Sequence, residues 1–294
     1  MTVRTILTLA GLGAMGAAAH AAPALNGVAQ VEWGDDTIGY ILGTGAGGGG
    51  DFDSATQLIG PLSVSASSTD DQNAFTGTAT AVANYGAVGV FASGTAPGGN
   101  EYLVNVAHGA ASFTDTVIVT GGTPGETGTM AFTVHVDGDV TLVHPPPPDD
   151  DHLHGVVQSV LVIQDLTPDG VDDQSGNTID GSFEQYTASQ AVDYMFTTTE
   201  TFSFTYDVPF ELSIALSVTS QIGDFLGLGL AGEATGAFGN TVTLTNIEFF
   251  ENGNPVSASL SAESGTNYLA EVVPEPTGVG VLGIGAVGLL RRRR

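Results

Sequence analysis

Apolar and polar residues alternate along most of the chain, and the longest alternation runs from Phe202 to Val218. Its even-numbered positions are aromatic or aliphatic, and its odd-numbered positions are mostly small or polar. A period of two predicts a strand whose even-numbered face lies in the core and whose odd-numbered face lies in solvent. Pro209 cannot donate a ladder hydrogen bond, so we expect the strand to break there.

A second alternation runs from Met130 to Leu142 and contains Asp137-Gly138-Asp139. An Asp-Gly pair between two alternating segments predicts a β-hairpin turn. The same pattern places His135 on the polar face, where we expect it to be exposed to solvent.

The pattern changes near the end of the body. The phase of the alternation slips around Thr245-Asn246, which predicts a β-bulge. Residues 251–255, Glu-Asn-Gly-Asn-Pro, predict a turn that leads into a further strand from Val256. The Gly- and Ala-rich stretch 224–239 is interpreted as a loop or an edge strand.

Shorter runs predict strands elsewhere, and no segment of the body has the pattern of a long amphipathic helix. The strands are expected at residues 28–33, 38–42, 74–80, 88–92, 101–106, 113–119 and 156–163. Short strands separated by turn signals indicate an all-β fold, an antiparallel β-sandwich of jelly-roll-like type. The body is assigned to residues 22–272 as one domain; the alternative is two β-domains divided near residues 145–151, where prolines precede aspartates.

The first 21 residues have the pattern of a secretory signal peptide. Arg4 supplies a positive start, Ile6 to Ala18 is apolar, and the small residues Ala19 and Ala21 mark a cleavage site. We therefore expect residues 1–21 to engage the export machinery and to be removed by signal peptidase.

The last stretch of the chain has three parts. Val273-Pro274-Glu275-Pro276 disfavours helix, Gly278 to Leu290 is apolar, and the stretch ends in Arg291, Arg292, Arg293 and Arg294. A short helix over the apolar part would span about 20 Å, less than the ~30 Å hydrocarbon core, so we expect it to insert transiently. The arginines would then stay in the cytoplasm under the positive-inside rule.

Residues 273–294 resemble the PEP-CTERM sorting signal of Gram-negative bacteria. Upstream, Gly239 to Leu244, Asn252 to Val256 and Ser264 to Tyr268 are similar to the region that precedes this signal in that family. The resemblance implies that an exosortase cleaves near the Pro-Glu-Pro and that the body reaches the surface or exterior of a biofilm-forming cell. A plain C-terminal membrane anchor is the alternative, and residues 22–236 are matched to no family.

The body between the two terminal segments carries no Lys or Arg. The chain has 5 Lys and Arg against 32 Asp and Glu, for a formal net charge of −27, and the five cations are Arg4 and Arg291 to Arg294. This charge excludes nucleic-acid binding, which needs cations to pair with phosphates, and argues against docking on anionic lipid headgroups. Because the chain has no cysteine, stability must come from a buried core.

One acidic stretch is a candidate Ca²⁺ site. Asp165, Asp169, Asp172 and Asp173 partly resemble a calcium loop, because oxygen ligands at alternate positions followed by a glycine turn suit a hard cation. The pattern departs from that loop at positions 167, 168 and 176, and a plain acidic turn is the alternative.

A second candidate metal site follows the prolines. His152 and His154 are spaced to share one strand face beside Asp149-Asp150-Asp151, and imidazole suits Zn²⁺ or Cu²⁺. The alternative is a solvated charge run on a loop.

The residue types exclude several catalytic classes. There is no Cys nucleophile, the body has no Lys for Schiff-base chemistry, and no G-x-S-x-G elbow occurs. Matches to G-x-G-x-x-G begin at Gly11, Gly278 and Gly283, all in the terminal segments and none in a βαβ unit. A triad based on His108 or His135, or a pair of carboxylates, stays open.

Three functions follow from the sequence, in this order. The first is an exported, C-terminally sorted protein that is not an enzyme and that associates with exopolysaccharide in the biofilm matrix. The second is a β-sandwich module that binds glycan, with Ca²⁺ as a stabilising ion. The third is a secreted hydrolase that uses carboxylates or an unmarked triad.

Overall fold

The computed structural model describes residues 22–34, 49–70, 75–97, 104–143, 153–165, 190–224 and 231–269. The described residues form β-strands and no helix, as the alternation predicts. The strands are β1 (Ala24–Gly34), β2 (Gly49–Gln57), β3 (Leu62–Asp70), β4 (Phe75–Asn84), β5 (Ala87–Pro97), β6 (Val104–Thr120), β7 (Thr127–Val143), β8 (Leu153–Asp165), β9 (Gln190–Thr205), β10 (Phe210–Asp224), β11 (Ala231–Glu251), β12 (Asn254–Val256) and β13 (Ser259–Ala262).

The strands form two sheets in which the described pairings are all antiparallel. Sheet A has the order β2-β1-β6-β10-β8, with β13 also paired to β6. Sheet B has the order β3-β4-β5-β11-β7-β9, with β12 also paired to β11. Strands from both sides of residues 144–152 share each sheet, since β10 pairs with β6 and β11 pairs with β5 and β7.

The inner faces of the two sheets supply one hydrophobic core. In strands such as β7 and β10 alternate residues point inward, among them Val134 and Val136 of β7 and Ile214 and Val218 of β10, which are fully buried. Aromatic rings fill the core near one end, where Phe204 stacks on Phe210 at 6.3 Å between ring centroids. The described part of the chain is therefore a β-sandwich.

The long alternation divides into two strands, as predicted, but its odd-numbered face is not all in solvent. β9 ends at Thr205 in sheet B and β10 begins at Phe210 in sheet A, so the chain changes sheet around Pro209. On the outer face of β10, the side chains of Glu211, Ser213 and Ser217 are buried. β10 is a central strand of sheet A, between β6 and β8.

The predicted hairpin at Asp137-Gly138-Asp139 is wrong. β7 runs straight through these residues, and the burial alternates without interruption from Val136 to Val140. A Cβ added at Gly138 would collide with the ring of Phe238 on the neighbouring strand β11. The glycine therefore makes room for a core aromatic ring instead of forming a turn.

The predictions for the end of the body are largely confirmed. The register of β11 against β7 shifts between Thr245 and Glu248, which is the predicted bulge. Asn252 and Gly253 have φ of 52° and 76° and form the turn between β11 and β12. Within the stretch interpreted as a loop or an edge strand, residues 231–239 instead belong to β11, which lies between β5 and β7 as a central strand, and residues 225–230 lie outside the described residues.

Candidate functional site

The last described segment closes one end of the sandwich, and we call residues 259–269 the closing segment. It starts as β13, which pairs with β6 from Ser259 opposite Thr120 to Ala262 opposite Val117. It then leaves the ladder after one more backbone bond, in which Glu263 N donates to Thr116 O at 2.9 Å. Beyond that point the chain is held mainly by side chains.

The closing segment takes the edge of β6 that β1 leaves free. β1 begins opposite Thr114, whereas β13 covers the next part of the same strand. Carbonyl groups of consecutive residues in a strand point to opposite edges. Val119 O accepts from Asp207 N on the β10 side, so Thr116 O, which accepts from Glu263 N, points to the β1 side. The start of β1 and the closing segment therefore lie on the same edge of β6.

A buried carboxylate anchors the closing segment. Asp115 of β6 is fully buried and faces the core. It accepts hydrogen bonds from Ser264 N at 3.1 Å, from the Ser264 hydroxyl and from the Tyr268 hydroxyl at 2.7 Å. Burying a charged group is costly unless it is hydrogen-bonded, and these bonds satisfy both of its oxygens.

The tyrosine of this cluster is held in its neutral form. Burial raises the pKa of the Tyr268 hydroxyl, and the charge of Asp115 raises it further. The Tyr268 ring also stacks on Phe113 at 6.3 Å between ring centroids. The hydroxyl is therefore a permanent donor to Asp115 at ordinary pH, which suits a structural role.

Aromatic contacts connect the closing segment to two turns of the same end. Tyr85, in the turn between β4 and β5, contacts Phe113 edge-on at 6.3 Å and donates a hydrogen bond to Leu58 O at 2.9 Å. Burial, and secondly the charge of Asp115, raise the pKa of Tyr85. Leu58 belongs to the turn between β2 and β3, so the cluster joins three chain segments.

Two separate side-chain hydrogen bonds lie on the outer face of sheet A. His108 of β6 has its Nδ1 at 2.9 Å from the Thr219 hydroxyl of β10, and burial lowers the pKa of this histidine. On the same face the Thr114 hydroxyl donates to Ser213 Oγ at 3.2 Å.

His135, predicted to be exposed, is half-buried on the outer face of sheet B, with its Nδ1 at 3.3 Å from the Thr197 hydroxyl.

Most residues singled out from the sequence lie outside the described residues. These are Ala19, Ala21, His152, Asp169, Asp172, Asp173, Val273, Pro274, Glu275, Pro276, Arg291, Arg292, Arg293 and Arg294. His154 and Asp165 lie at the two ends of β8, opposite Gly223 and Leu212 respectively. The two residues are thus at opposite ends of one strand, so they belong to different ends of sheet A.

Reasoning from the sequence missed the cluster around Asp115. A single Asp in an apolar alternation was a usable signal, because Asp115 holds an inward position between Phe113 and Val117. Its donors follow 149 and 153 residues later, so no local motif joins them. Among the described residues, no group of three or more His, Asp or Glu side chains is arranged to hold a metal ion.

No protein-family model matches the chain. No curated protein matches it either. In the described part of the chain, none of the structure is a helix with the length and apolar character needed to cross a membrane.

Proposed function

We propose that this chain is an exported protein that a C-terminal sorting signal carries to the cell surface or beyond. Its body would not be an enzyme but a β-sandwich that associates with exopolysaccharide in a biofilm matrix. Signal peptidase would remove residues 1–21, and an exosortase would cut within Val273 to Pro276. The jelly-roll-like arrangement and the short helix over Gly278 to Leu290 remain predictions that belong to this proposal.

One observation supports the proposal above all others: the closing segment is complete before the cleavage motif begins. Its anchors are Ser264 and Tyr268, and the described chain ends at Leu269. Both anchors precede Val273 in the chain, so a cut at the motif leaves them in the mature protein. A sorted protein needs this separation, because its body must stay folded once its tail is gone.

The charge of the body also suits a mature protein that is released from the membrane and binds no nucleic acid. All five cations lie in the terminal segments that processing would remove, while the acids lie mostly in the body. The mature protein would then be a polyanion without Lys or Arg. Such a surface stays soluble and repels other anionic surfaces.

Intact mass spectrometry of the secreted protein tests the proposal. We expect an N-terminus at Ala22 and a C-terminus between Val273 and Pro276. Recovery of extracellular protein that still carries Arg291 to Arg294 would contradict the processing step. The double variant Pro274→Ala with Pro276→Ala should stay unprocessed in the membrane fraction. Pro255→Ala, at an exposed position of the short strand β12, is the matched control and should be processed normally.

A further inference from the structure

Exposed apolar side chains lie close to the end of the closing segment. Ile59 is 82% exposed and Leu58 is 62% exposed, both in the turn between β2 and β3, and Leu269 at the end of the closing segment is 45% exposed. We call these three residues the exit patch. Leu58 and Leu269 flank the turn between β4 and β5, since Tyr85 donates to Leu58 O and Gly86 lies against the ring of Tyr268.

The described chain also begins beside the exit patch. Ala24 pairs with Thr114 of β6, and the next residue, Leu25, pairs with Gln57 at the end of β2. Leu58 therefore follows directly after a residue that is paired to the start of β1. Both ends of the body thus lie at one corner of the sandwich, next to its most exposed aliphatic side chain among the described residues.

Two turns at this corner contain no acidic residue, whereas the closing segment contains Glu263. The turn that carries Leu58 and Ile59 lies within residues 54–69, which contain no Asp or Glu. The turn that carries Tyr85 lies within residues 72–100, which contain none either. A formal net charge of −27 would repel an anionic surface, but these two turns present only apolar and neutral groups.

The predicted membrane segments start close to this corner. Residues 270–277 separate Leu269 from the apolar run at Gly278, which is at most about 30 Å of fully extended chain. On the other side, only residues 19–21 separate Ala22 from the apolar run that ends at Ala18. A precursor held in a bilayer at either run therefore keeps this corner near the lipid surface.

We propose that the exit patch is a lipid-contacting surface, with Leu58 and Ile59 inserted among the headgroups of the outer face of the membrane while the precursor is still anchored. This inference rests on the proposed function, because it needs the tail in the bilayer. The partner is an uncharged lipid surface: aliphatic side chains enter its boundary, and Tyr85 lies at the depth where tyrosines are enriched. The contact orients the body and holds residues 270–277 next to the membrane.

The test uses the full chain in phosphatidylcholine vesicles that carry a nitroxide quencher in the upper acyl chain. Because the chain has no cysteine, Ile59→Cys gives a single position for an environment-sensitive dye. Val143→Cys is the matched control, because Val143 is 45% exposed and lies at the end of β7 that is far from the exit patch. We expect the dye at position 59 to be quenched at least threefold more strongly than the dye at position 143.

Each outcome separates this inference from the proposed function. Vesicles that carry the protein but quench both dyes equally, or neither, would overturn the lipid contact and leave sorting intact. Protein that does not float with vesicles at all would overturn both. Shielding of position 59 only in membranes that contain the processing enzyme would assign the patch to that enzyme and overturn the lipid contact. Pairing Ile59→Cys with Leu58→Asn should reduce the quenching at least twofold.

Discussion

At the scale of single residues, the main feature is a carboxylate buried without a cation. Asp115 lies in a body that has no Lys or Arg, so its charge is balanced only by hydrogen-bond donors. Two of those three donors come from Ser264 and one from Tyr268. This arrangement makes the closing segment part of the core, because removing a donor leaves a buried charged group less satisfied.

Tyr268→Phe should lower the free energy of unfolding by about 1.5–3 kcal/mol, because a buried carboxylate loses one hydrogen bond. The matched control is Tyr85→Phe, whose hydroxyl bonds the exposed Leu58 carbonyl and should cost about 1 kcal/mol or less. Urea unfolding followed by circular dichroism measures both. Equal losses in the two variants would show that Asp115 is not the reason.

His108 should make the stability depend on pH in one direction. Its pKa is lowered in the folded protein by burial, so the unfolded chain takes up a proton first as the pH falls below about 6.5. Stability is therefore lost with falling pH in that range. Relative to His108→Gln, the wild type should lose free energy of unfolding between pH 7.5 and pH 5, and the difference should be constant above about pH 7.5. If the free energies of unfolding of the wild type and of His108→Gln stay parallel down to pH 5, the prediction is contradicted.

At the scale of elements, the closing segment decides where the chain can be cut. A chain that ends at Val273 keeps all described contacts and should unfold with the same free energy as the full chain. A chain that ends at Ala262 loses the donors of Asp115 and the buried ring of Tyr268, and should lose at least about 3 kcal/mol. Urea titrations of both chains in the same detergent measure the difference. Similar losses at both cuts would mean that residues after Val273 support the body.

The bulge in β11 gives a second prediction at this scale. Asn246 has φ of 51°, a conformation that β-branched residues adopt only with strain. Asn246→Val should therefore destabilise the protein by about 1–2 kcal/mol, whereas Asn246→Gly should be nearly neutral. Glu248→Val is the control, because Glu248 is exposed and has no positive φ. Thermal melts of the three variants measure these effects. Equal melting temperatures for Asn246→Val and Glu248→Val would contradict the prediction.

At the scale of the whole molecule, the excess of acids should make stability depend on salt. The body holds all but one of the chain's 32 Asp and Glu and has no Lys or Arg, so charges repel one another in the folded state more than in the expanded chain. Sodium chloride screens this repulsion, so the melting temperature should rise from low salt to about 0.5 M. Calcium chloride at equal ionic strength separates screening from the Ca²⁺ site predicted around Asp165. A melting temperature independent of salt would contradict the repulsion.

Part of the fold followed from local pattern, since strands β1, β4, β5, β8 and β10, the break near Pro209 and the bulge after Thr245 were predicted. These features depend on the two-residue period of a strand and on proline, which act over a few residues. Strands β2 and β3 were not predicted, and the separate strands expected at 101–106 and 113–119 fall in the single strand β6. The candidate site was not predictable in the same way. Asp115 and Tyr268 are 153 residues apart, and only the pairing of β13 with β6 brings them together.

The amino-acid sequence by itself determined the all-β class, the inward faces of the strands and the absence of cations from the body, because each of these follows from residue type and local spacing. Only the tertiary structure decided that Gly138 leaves room for the ring of Phe238 instead of forming a turn. It also decided that a buried carboxylate is satisfied by a distant segment. The physical reason is that a side chain's space and its hydrogen-bond partners are set by neighbours across the sheets, which no short stretch of sequence contains.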